Sequence, residues 1–242
     1  MTPLDLPGSK PLVIAHRGFA AEYPENTMAA FTAAVEAGSL GIELDIHRLA
    51  TGEAVVYHDF DLRRLHGEPR PILSLTRAEL ETYRIPLLEE LFRTFGRRVF
   101  YDIEIKSRSR RTTGVEAEAI RLVRESGLEQ KVLISSFNPH ALREAAALAP
   151  EIPRGTIYSP DREVPHLLRR GWGRLLVPVA ALKPRHDLVT PRYMARFSRR
   201  YAILPWTVDD PREALRLKEL GVDGIITNNP RLICEALEAG RP

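Results

Sequence analysis

The sequence predicts one α/β domain over residues 1–242, a (β/α)8 TIM barrel with a short hairpin and cap excursion after the second strand. Its length of 242 residues is usual for such a barrel. Short apolar runs alternate with helical segments, a pattern typical of parallel strands joined by right-handed crossovers. The hydrophobic content of 44% is enough for a substantial core, and no linker or repeat divides the chain.

Nine apolar runs predict strands, and helical segments separate most of them. The predicted strands are Leu12–Ala15, Gly41–His47, Ala54–Tyr57, Val99–Lys106, Val132–Ser136, Arg154–Tyr158, Arg174–Val179, Ala202–Thr207 and Gly224–Thr227. Proline at the first helical position, directly after a capping residue, marks helices that begin at Pro139, Pro191, Pro211 and Pro230. Nine strands are one more than an eightfold barrel contains.

The third apolar run is interpreted as a returning strand. Only six residues separate it from the second run, too few for a parallel crossover but enough for a hairpin. With Thr51-Gly52 at the centre of the turn, Asp45 lies opposite His58. Eight strands then remain for the barrel. Residues 59–86 form the longest excursion and are predicted to make a small cap.

The cysteine count and the distribution of apolar residues exclude several classes of protein. The lone Cys234 excludes an internal disulfide framework and a multi-cysteine metal site. No apolar stretch approaches the roughly 20 residues that cross a bilayer, and the N-terminal stretch lacks the layout of a secretory signal. We therefore expect a cytoplasmic protein without a transmembrane segment, in an oligomeric state that the sequence leaves open.

A non-catalytic phosphate- or nucleic-acid-binding module is the alternative from another class. Only five of the 35 basic residues are lysines, and arginines are densest at 107–111 and 197–201. Such a module would need aromatic residues interleaved with basic ones, or a groove-reading helix, and neither pattern is present. At a net charge of +3 the arginines are interpreted as a solvated surface, with no specific nucleic-acid partner.

Acidic side chains lie on one face of two predicted strands. Strand side chains alternate between faces, so Glu43 and Asp45 share one face of the second strand, as Glu104 and Lys106 do in "YDIEIK". Adjacent buried carboxylates repel one another unless a cation holds them. Separate salt bridges are the alternative reading. Because hard oxygen ligands select Mg²⁺ or Ca²⁺ over zinc, the pattern predicts a site for one divalent cation formed by Glu43, Asp45 and Glu104.

Histidines end two strands beside these acids. His16 follows the first strand in "IAHRG", and His58 follows the returning strand. Two histidines around a carboxylate cluster suit a general acid and a general base. Arg17 and Lys106 are cations that can hold a phosphate. With one divalent ion, three carboxylates and these two cations carry a net charge of +1, which a phosphodiester neutralises.

Other residues have two readings. In the loop "PENT", Asn26 either caps the following helix or reaches the site with Glu25. Trp206 is either a core aromatic or a wall that faces substrate, and both readings remain open. His47 and Asp102 share the acidic faces and are interpreted as partners of the site residues.

The motifs, taken in order, resemble the glycerophosphodiester phosphodiesterase family. They are "HRG", "PENT", "IELDI", "VVYHD", "IPLLEEL", "IEIK", "SSF", "WTV" and "GVDGIITNNP", and they extend over nearly the whole chain. The resemblance implies a (β/α)8 barrel that uses a divalent metal to hydrolyse glycerophosphodiesters to glycerol 3-phosphate and an alcohol. By position it gives acid–base roles to His16 and His58, metal-ligand positions to Glu43, Asp45 and Glu104, and phosphate contacts to Arg17 and Lys106.

The chain departs from the family pattern at two places. Thr51-Gly52 stands where Asp-Gly is frequent, and Asn228 stands where Asp is usual, so no role is assigned to Asn228. The short cap leaves the preferred alcohol open. Attack by water and attack by a neighbouring glycerol hydroxyl, through a cyclic phosphate, both remain possible. So do both assignments of acid and base.

A lysophospholipase D is the runner-up enzyme. It would need an apolar groove beside the site, with the 59–86 excursion as its wall. That excursion is mixed in character and has no continuous apolar face. We therefore expect small water-soluble diesters, such as glycerophosphocholine or glycerophosphoethanolamine, to be the substrates.

Overall fold

The computed structural model describes residues 4–162 and 164–239. The strands in these ranges are β1 Leu12–His16, β2 Gly41–Arg48, β3 Ala54–Val56, β4 Phe100–Ile105, β5 Val132–Ser136, β6 Arg154–Tyr158, β7 Ala181–Pro184, β8 Ala202–Ile203 and β9 Gly224–Thr227. The helices are α1 Met28–Glu36, α2 Arg63–His66, α3 Arg77–Tyr83, α4 Leu88–Phe95, α5 Val115–Glu125, α6 Pro139–Leu148, α7 Pro191–Phe197, α8 Pro211–Glu219 and α9 Pro230–Ala239.

Eight parallel strands form a nearly closed barrel, which confirms the predicted fold. The strand order is β8-β7-β6-β5-β4-β2-β1-β9, and β3 lies outside this path as an antiparallel partner of β2. The two ends of the sheet meet through backbone hydrogen bonds. Asp223 N donates to Ile203 O at 3.0 Å, and Ile226 N donates to Pro205 O at 3.0 Å.

Helix boundaries follow the capping signals in the sequence. The side chains of Asn138, Thr190 and Asp210 accept backbone N–H groups at the start of α6, α7 and α8, and proline follows each of them. No helix in the described parts of the chain is long and apolar enough to cross a membrane. The longest, α5, has 11 residues, about half of the roughly 20 that a bilayer requires.

Side-chain alternation separates two apolar layers. Residues between the strands and the surrounding helices form the larger core cluster, to which Ile42, Leu44 and Ile46 of β2 belong. A second cluster fills the end of the barrel where the strands begin. It contains Leu12, Ile14, Phe100, Leu133, Ala181, Leu204 and Ile226. The opposite end of the interior, where the strands finish, holds charged side chains.

The excursion after β3 packs around its own small cluster. Residues 59–86 contain α2, a 3₁₀ turn and α3. Their apolar side chains bury Val55 and Tyr57 from the hairpin together with Leu62, Ile72 and Leu80. The apolar residues of the excursion are therefore used for packing. Its treatment as a cap within one 1–242 domain stays a prediction.

The seventh barrel strand was predicted at the wrong place. Residues Arg174–Val179 were expected to form it, but β7 is Ala181–Pro184. Residues Trp172–Leu175 form a 3₁₀ helix, and Leu175 and Leu176 are exposed. Pro178 has no N–H to donate to a sheet ladder, which disfavours a strand there. The true strand contains a lysine and ends in proline, so its apolar signal is weak.

The predicted hairpin register is wrong by one residue. Ile46 pairs with Val56 and Arg48 with Ala54, so Tyr57 rather than His58 follows opposite Asp45. Leu49 N donates to Glu53 O at 2.9 Å, which leaves three residues in the loop instead of two. Glycine supplies the positive φ of 115° that this loop requires at position 52.

Replacement of Asp223 by alanine tests how the barrel closes. The Asp223 carboxylate accepts the N–H of Ile203 at 2.8 Å, at the boundary between β8 and β9. Because Asp223→Ala leaves that donor without its acceptor, the free energy of unfolding should fall by about 1–3 kcal/mol. Lys10 also contacts this carboxylate but is largely exposed, so Lys10→Ala should cost at most about 1 kcal/mol. Urea denaturation measures the free energy of unfolding of both variants. Equal losses would contradict the role given to the hydrogen bond between Asp223 and Ile203.

Candidate active site

The acidic residues predicted from the two strands converge inside the barrel. Glu43, Asp45 and Glu104 each offer a carboxylate oxygen, and these oxygens lie within 4.8 Å of one another. All three side chains are buried. Burial, reinforced by the charge of Asp45, raises the pKa of Glu43 well above its usual range. Concentrated negative charge of this kind requires compensation.

Two predicted cations provide part of that compensation. Arg17 Nε lies 3.2 Å from Asp45 Oδ2, and Lys106 Nζ lies 2.8 Å from Glu104 Oε1 and 3.3 Å from Asp45 Oδ1. Although burial opposes it, the charges of Lys106 and Arg17 lower the pKa of Asp45. The salt-bridge reading of these acids is thus part of the observed geometry. Two cations face three carboxylates, so the cluster carries a net negative charge when all three carboxylates are ionised.

The cluster fits a divalent cation. Asp45 Oδ1 receives no hydrogen bond within the described residues, despite its proximity to Lys106, and the buried Oδ1 of Asn26 also lacks a partner there. The three clustered carboxylates are hard oxygen donors of the kind that Mg²⁺ and Ca²⁺ prefer. The net negative charge and the unsatisfied oxygen both favour a bound cation.

A buried ion pair lies deeper in the barrel. Lys183 Nζ is 2.7 Å from Asp102 Oδ2 and donates to Ser135 Oγ at 2.9 Å, and both charged side chains are almost fully buried. Although burial opposes it, the charge of Asp102 raises the pKa of Lys183. Sequence reasoning missed Lys183; the signal available was a lone lysine between apolar residues in "AALKP".

His16 lies at the end of β1 against the acidic cluster. Its Nε2 is 3.9 Å from Glu43 Oε2, and its Nδ1 is hydrogen-bonded to Asn228 Oδ1 at 2.7 Å. Burial, with the nearby charge of Arg17, lowers the pKa of His16 to about 4. Asn228, which received no role from the sequence, is therefore a direct partner of a predicted catalytic histidine.

His58 lines the same cavity as His16. Its Nδ1 is 2.7 Å from Asp59 Oδ1, and Arg64 Nε donates to the other oxygen of Asp59 at 2.6 Å. Arg64 also binds Glu25, which accepts a hydrogen bond from Arg17 at 2.9 Å. A chain of ion pairs thus connects the loop after β1 with the loop after β3.

Asn26 and Trp206 take different places around the site. The amide nitrogen of Asn26 donates to Asp45 Oδ2 at 2.9 Å, and its φ of 56° is unusual for a residue other than glycine. Thr27, not Asn26, caps α1. Trp206 Nε1 donates to Lys183 O at 2.9 Å, and its ring packs edge-on against Phe137. Contact of either residue with substrate stays a prediction.

A cavity of about 1180 Å³ opens above the cluster. At its polar end it is lined by His16, Arg17, Glu43, His58, Glu104, Lys106, Lys183 and Trp206. Its outer wall is apolar and is formed by Val164, Leu167, Leu168 and Leu176. The 59–86 excursion, expected as the wall of an apolar groove, contributes mainly polar lining, through Asp59, Phe60, Asp61, Arg63 and Arg64. The segment between β6 and β7 supplies the largest group of apolar lining residues.

The sequence model of the glycerophosphoryl diester phosphodiesterase family matches residues 16–232, most of the chain. The chain belongs to this family. It is an enzyme of the phosphoric diester hydrolase class. A glycerophosphodiester phosphodiesterase from Caldanaerobacter subterraneus is 33% identical over 247 residues, covering 96% of this chain and 99% of the relative.

Solved structures of glycerophosphodiester phosphodiesterases have the same fold. The crystal structure of the enzyme from Thermotoga maritima is similar with a TM-score of 0.75 at 26% identity, covering 94% of this chain and 99% of that one. A phosphodiesterase from Oleispira antarctica, solved in complex with its product sn-glycerol-3-phosphate, has a TM-score of 0.77 at 28% identity, covering 94% of this chain and 97% of that one.

Removal of the buried lysine tests the ion pair beneath the cluster. Lys183→Met leaves Asp102 as an uncompensated buried charge, so the free energy of unfolding should fall by about 3–5 kcal/mol. Combining it with Asp102→Leu should recover most of that loss, because the charge left behind is removed too. Lys131→Met, just before β5 at the opposite end of the barrel, is the control and should change little. Chemical denaturation decides; a double variant as unstable as the sum of the singles would refute the coupling.

Proposed function

We propose that this enzyme hydrolyses glycerophosphodiesters to sn-glycerol 3-phosphate and an alcohol in a reaction that depends on a divalent metal. One observation carries the proposal: His16 and His58 line the same cavity as Glu43 and Glu104, which cluster with Asp45. The family membership agrees with it, as does the sn-glycerol-3-phosphate held by the relative from Oleispira antarctica. Substrates of this kind would be small diesters such as glycerophosphocholine and glycerophosphoethanolamine.

Glu43, Asp45 and Glu104 would hold the metal, Mg²⁺ or Ca²⁺. A bound divalent ion supplies positive charge that polarises a phosphoryl oxygen. Arg17 and Lys106 carry charge toward the same cavity and would contact the phosphate. Asn26 would hold Asp45 in place, and Trp206 would line the path of the substrate. Positive charge for one phosphodiester would then come from two sources, the bound ion and the side chains of Arg17 and Lys106.

Two histidines would move the protons of the reaction. One removes the proton of the attacking hydroxyl, and the other protonates the leaving alcohol oxygen. The attacking group is a water molecule or the neighbouring hydroxyl of the glycerol moiety. Either route needs one proton acceptor and one donor in the same cavity, which His16 and His58 supply.

A lysophospholipase D activity is the second candidate, and the apolar outer wall favours it. Val164, Leu167, Leu168 and Leu176 line the cavity that contains the cluster. Leu167 and Leu176 are 64% and 63% exposed, which is high for leucine beside a polar site. An acyl chain attached to the glycerol could cover this wall. Small diesters remain the first candidate because the polar end alone accommodates their charge.

Metal removal tests the proposed function directly. Chelation should abolish hydrolysis of glycerophosphocholine, and Mg²⁺ or Ca²⁺ should restore it, since the three carboxylates otherwise repel one another. Glu104→Gln should weaken metal binding, measured by calorimetry, together with activity. Glu235→Gln, which removes an exposed carboxylate on α9, should change neither. Full turnover after thorough metal removal would show that the metal assignment is wrong.

Comparison of two substrate classes distinguishes the candidates. At equal concentrations, glycerophosphocholine should be hydrolysed faster than lysophosphatidylcholine. If the apolar wall holds an acyl chain, the variant Leu167→Asp/Leu176→Asp should lose lysolipid hydrolysis and keep that of glycerophosphocholine. Leu232→Asp on α9 changes a comparably apolar but distant surface and serves as the control. A clear lysolipid preference that depends on Leu167 and Leu176 would reverse the order of the two candidates.

A further inference from the structure

His16 ends a hydrogen-bonded chain that begins at an aspartate outside the barrel. Asp209 accepts three hydrogen bonds: from Thr227 Oγ1 at 2.9 Å, from the backbone N–H of Asn228 at 2.8 Å and from Asn228 Nδ2 at 2.7 Å. The remaining atom of that amide, Asn228 Oδ1, is bonded to His16 Nδ1 at 2.7 Å. The chain therefore runs Asp209–Asn228–His16.

Asp209 determines which way the Asn228 amide faces. A carboxylate only accepts hydrogen bonds, so the amide group that faces it must be the NH₂ donor. The amide oxygen then faces His16, and this oxygen also only accepts. Consequently His16 Nδ1 carries the hydrogen. In the neutral imidazole the lone pair is then on Nε2, the nitrogen that faces Glu43 and the cavity.

His58 has a different partner at the same ring position. Its Nδ1 faces the carboxylate of Asp59, which Arg64 holds from the other side. The Asp59 carboxylate places a negative charge beside His58, whereas the amide beside His16 is neutral and only fixes the tautomer. The two histidines of one cavity therefore have a neutral and an anionic partner.

We propose that Asp209 and Asn228 are positioning residues that fix His16 as the proton acceptor, with His58 as the proton donor. The proposal rests on the proposed function and assigns its two proton transfers. His16 Nε2 takes the proton of the attacking hydroxyl as its oxygen bonds to phosphorus. The bond from phosphorus to the alcohol oxygen breaks, and that oxygen takes a proton from His58. Exchange with water returns both rings to their starting states.

Asp209→Asn is the decisive variant. The new amide would keep its oxygen toward Thr227 Oγ1 and the N–H of Asn228, which places its NH₂ against the NH₂ of Asn228. The Asn228 amide should therefore turn over and present a donor to His16, forcing the hydrogen onto Nε2. We expect kcat to fall by up to about 10²–10⁴-fold, the worth of a general base. Asp210→Asn removes the neighbouring charge and keeps the helix cap, so it should retain wild-type activity.

Exchange of the two residues provides the rescue. In Asp209→Asn/Asn228→Asp, the carboxylate at position 228 accepts from His16 Nδ1 and from the amide at 209, so the original tautomer is restored. The double variant should be more active than Asp209→Asn alone, which loss of a merely structural contact would not produce. Thermal unfolding of each variant separates a folding defect from a catalytic one. A double variant no better than the single would overturn the proposal.

Two further readouts identify the roles. Nitrogen-15 NMR of the imidazoles, with His16→Ala for assignment, should show hydrogen on Nδ1 of His16 in the wild type and on Nε2 in Asp209→Asn. A p-nitrophenyl phosphodiester needs no protonation of its leaving group, so it should rescue His58→Ala and leave His16→Ala impaired. The opposite rescue, or hydrogen on Nε2 in the wild type, would refute the assignment. If the wild type hydrolyses no glycerophosphodiester, the proposed function fails, while the NMR result still decides the tautomer.

Discussion

Charge compensation at Asp45 is the constraint on which the site depends. This buried carboxylate is contacted by Arg17 and Asn26 from the loop after β1 and by Lys106 from the end of β4. Each contact replaces hydration that the carboxylate lost on burial. Because Arg17 directly follows His16, the group that fixes the arginine also fixes the end of the strand that carries the histidine. The acidic cluster, Arg17, Lys106 and His16 are thus one electrostatic unit.

Much of this unit could be predicted from the sequence because it follows local rules. Alternation along β2 and β4 is enough to put Glu43, Asp45 and Glu104 on the interior face, and their mutual proximity follows from parallel pairing of the two strands. The ends of strands in a parallel barrel meet at one face, which is why His16 could be predicted to lie near them. The eightfold barrel itself followed from the alternation of strands and helices.

The features that the sequence did not predict depend on residues that are distant in the chain. Lys183 is buried because Asp102 lies opposite it across the barrel, and no local pattern records that pairing. The importance of Asn228 arises from Asp209 on one side and His16 on the other, residues that only the closed barrel brings together. Strand β7 has weak apolar character for a related reason. One of its four residues is a lysine that serves the interior charge balance instead of the core.

The hairpin of β2 and β3 determines which changes in chain length the site can tolerate. Along one edge of β2, Glu43 O accepts the N–H of Arg17, and two residues later Asp45 O accepts the N–H of Tyr57. β1 therefore pairs with the first part of this edge and β3 with the part that follows. His16 ends β1, and His58 lies just after β3. Insertions in the hairpin loop would leave both pairings with β2 unchanged. Loss of one residue from β3 would turn His58 to the opposite side of the strand, so the length of β3 determines whether both histidines line the cavity.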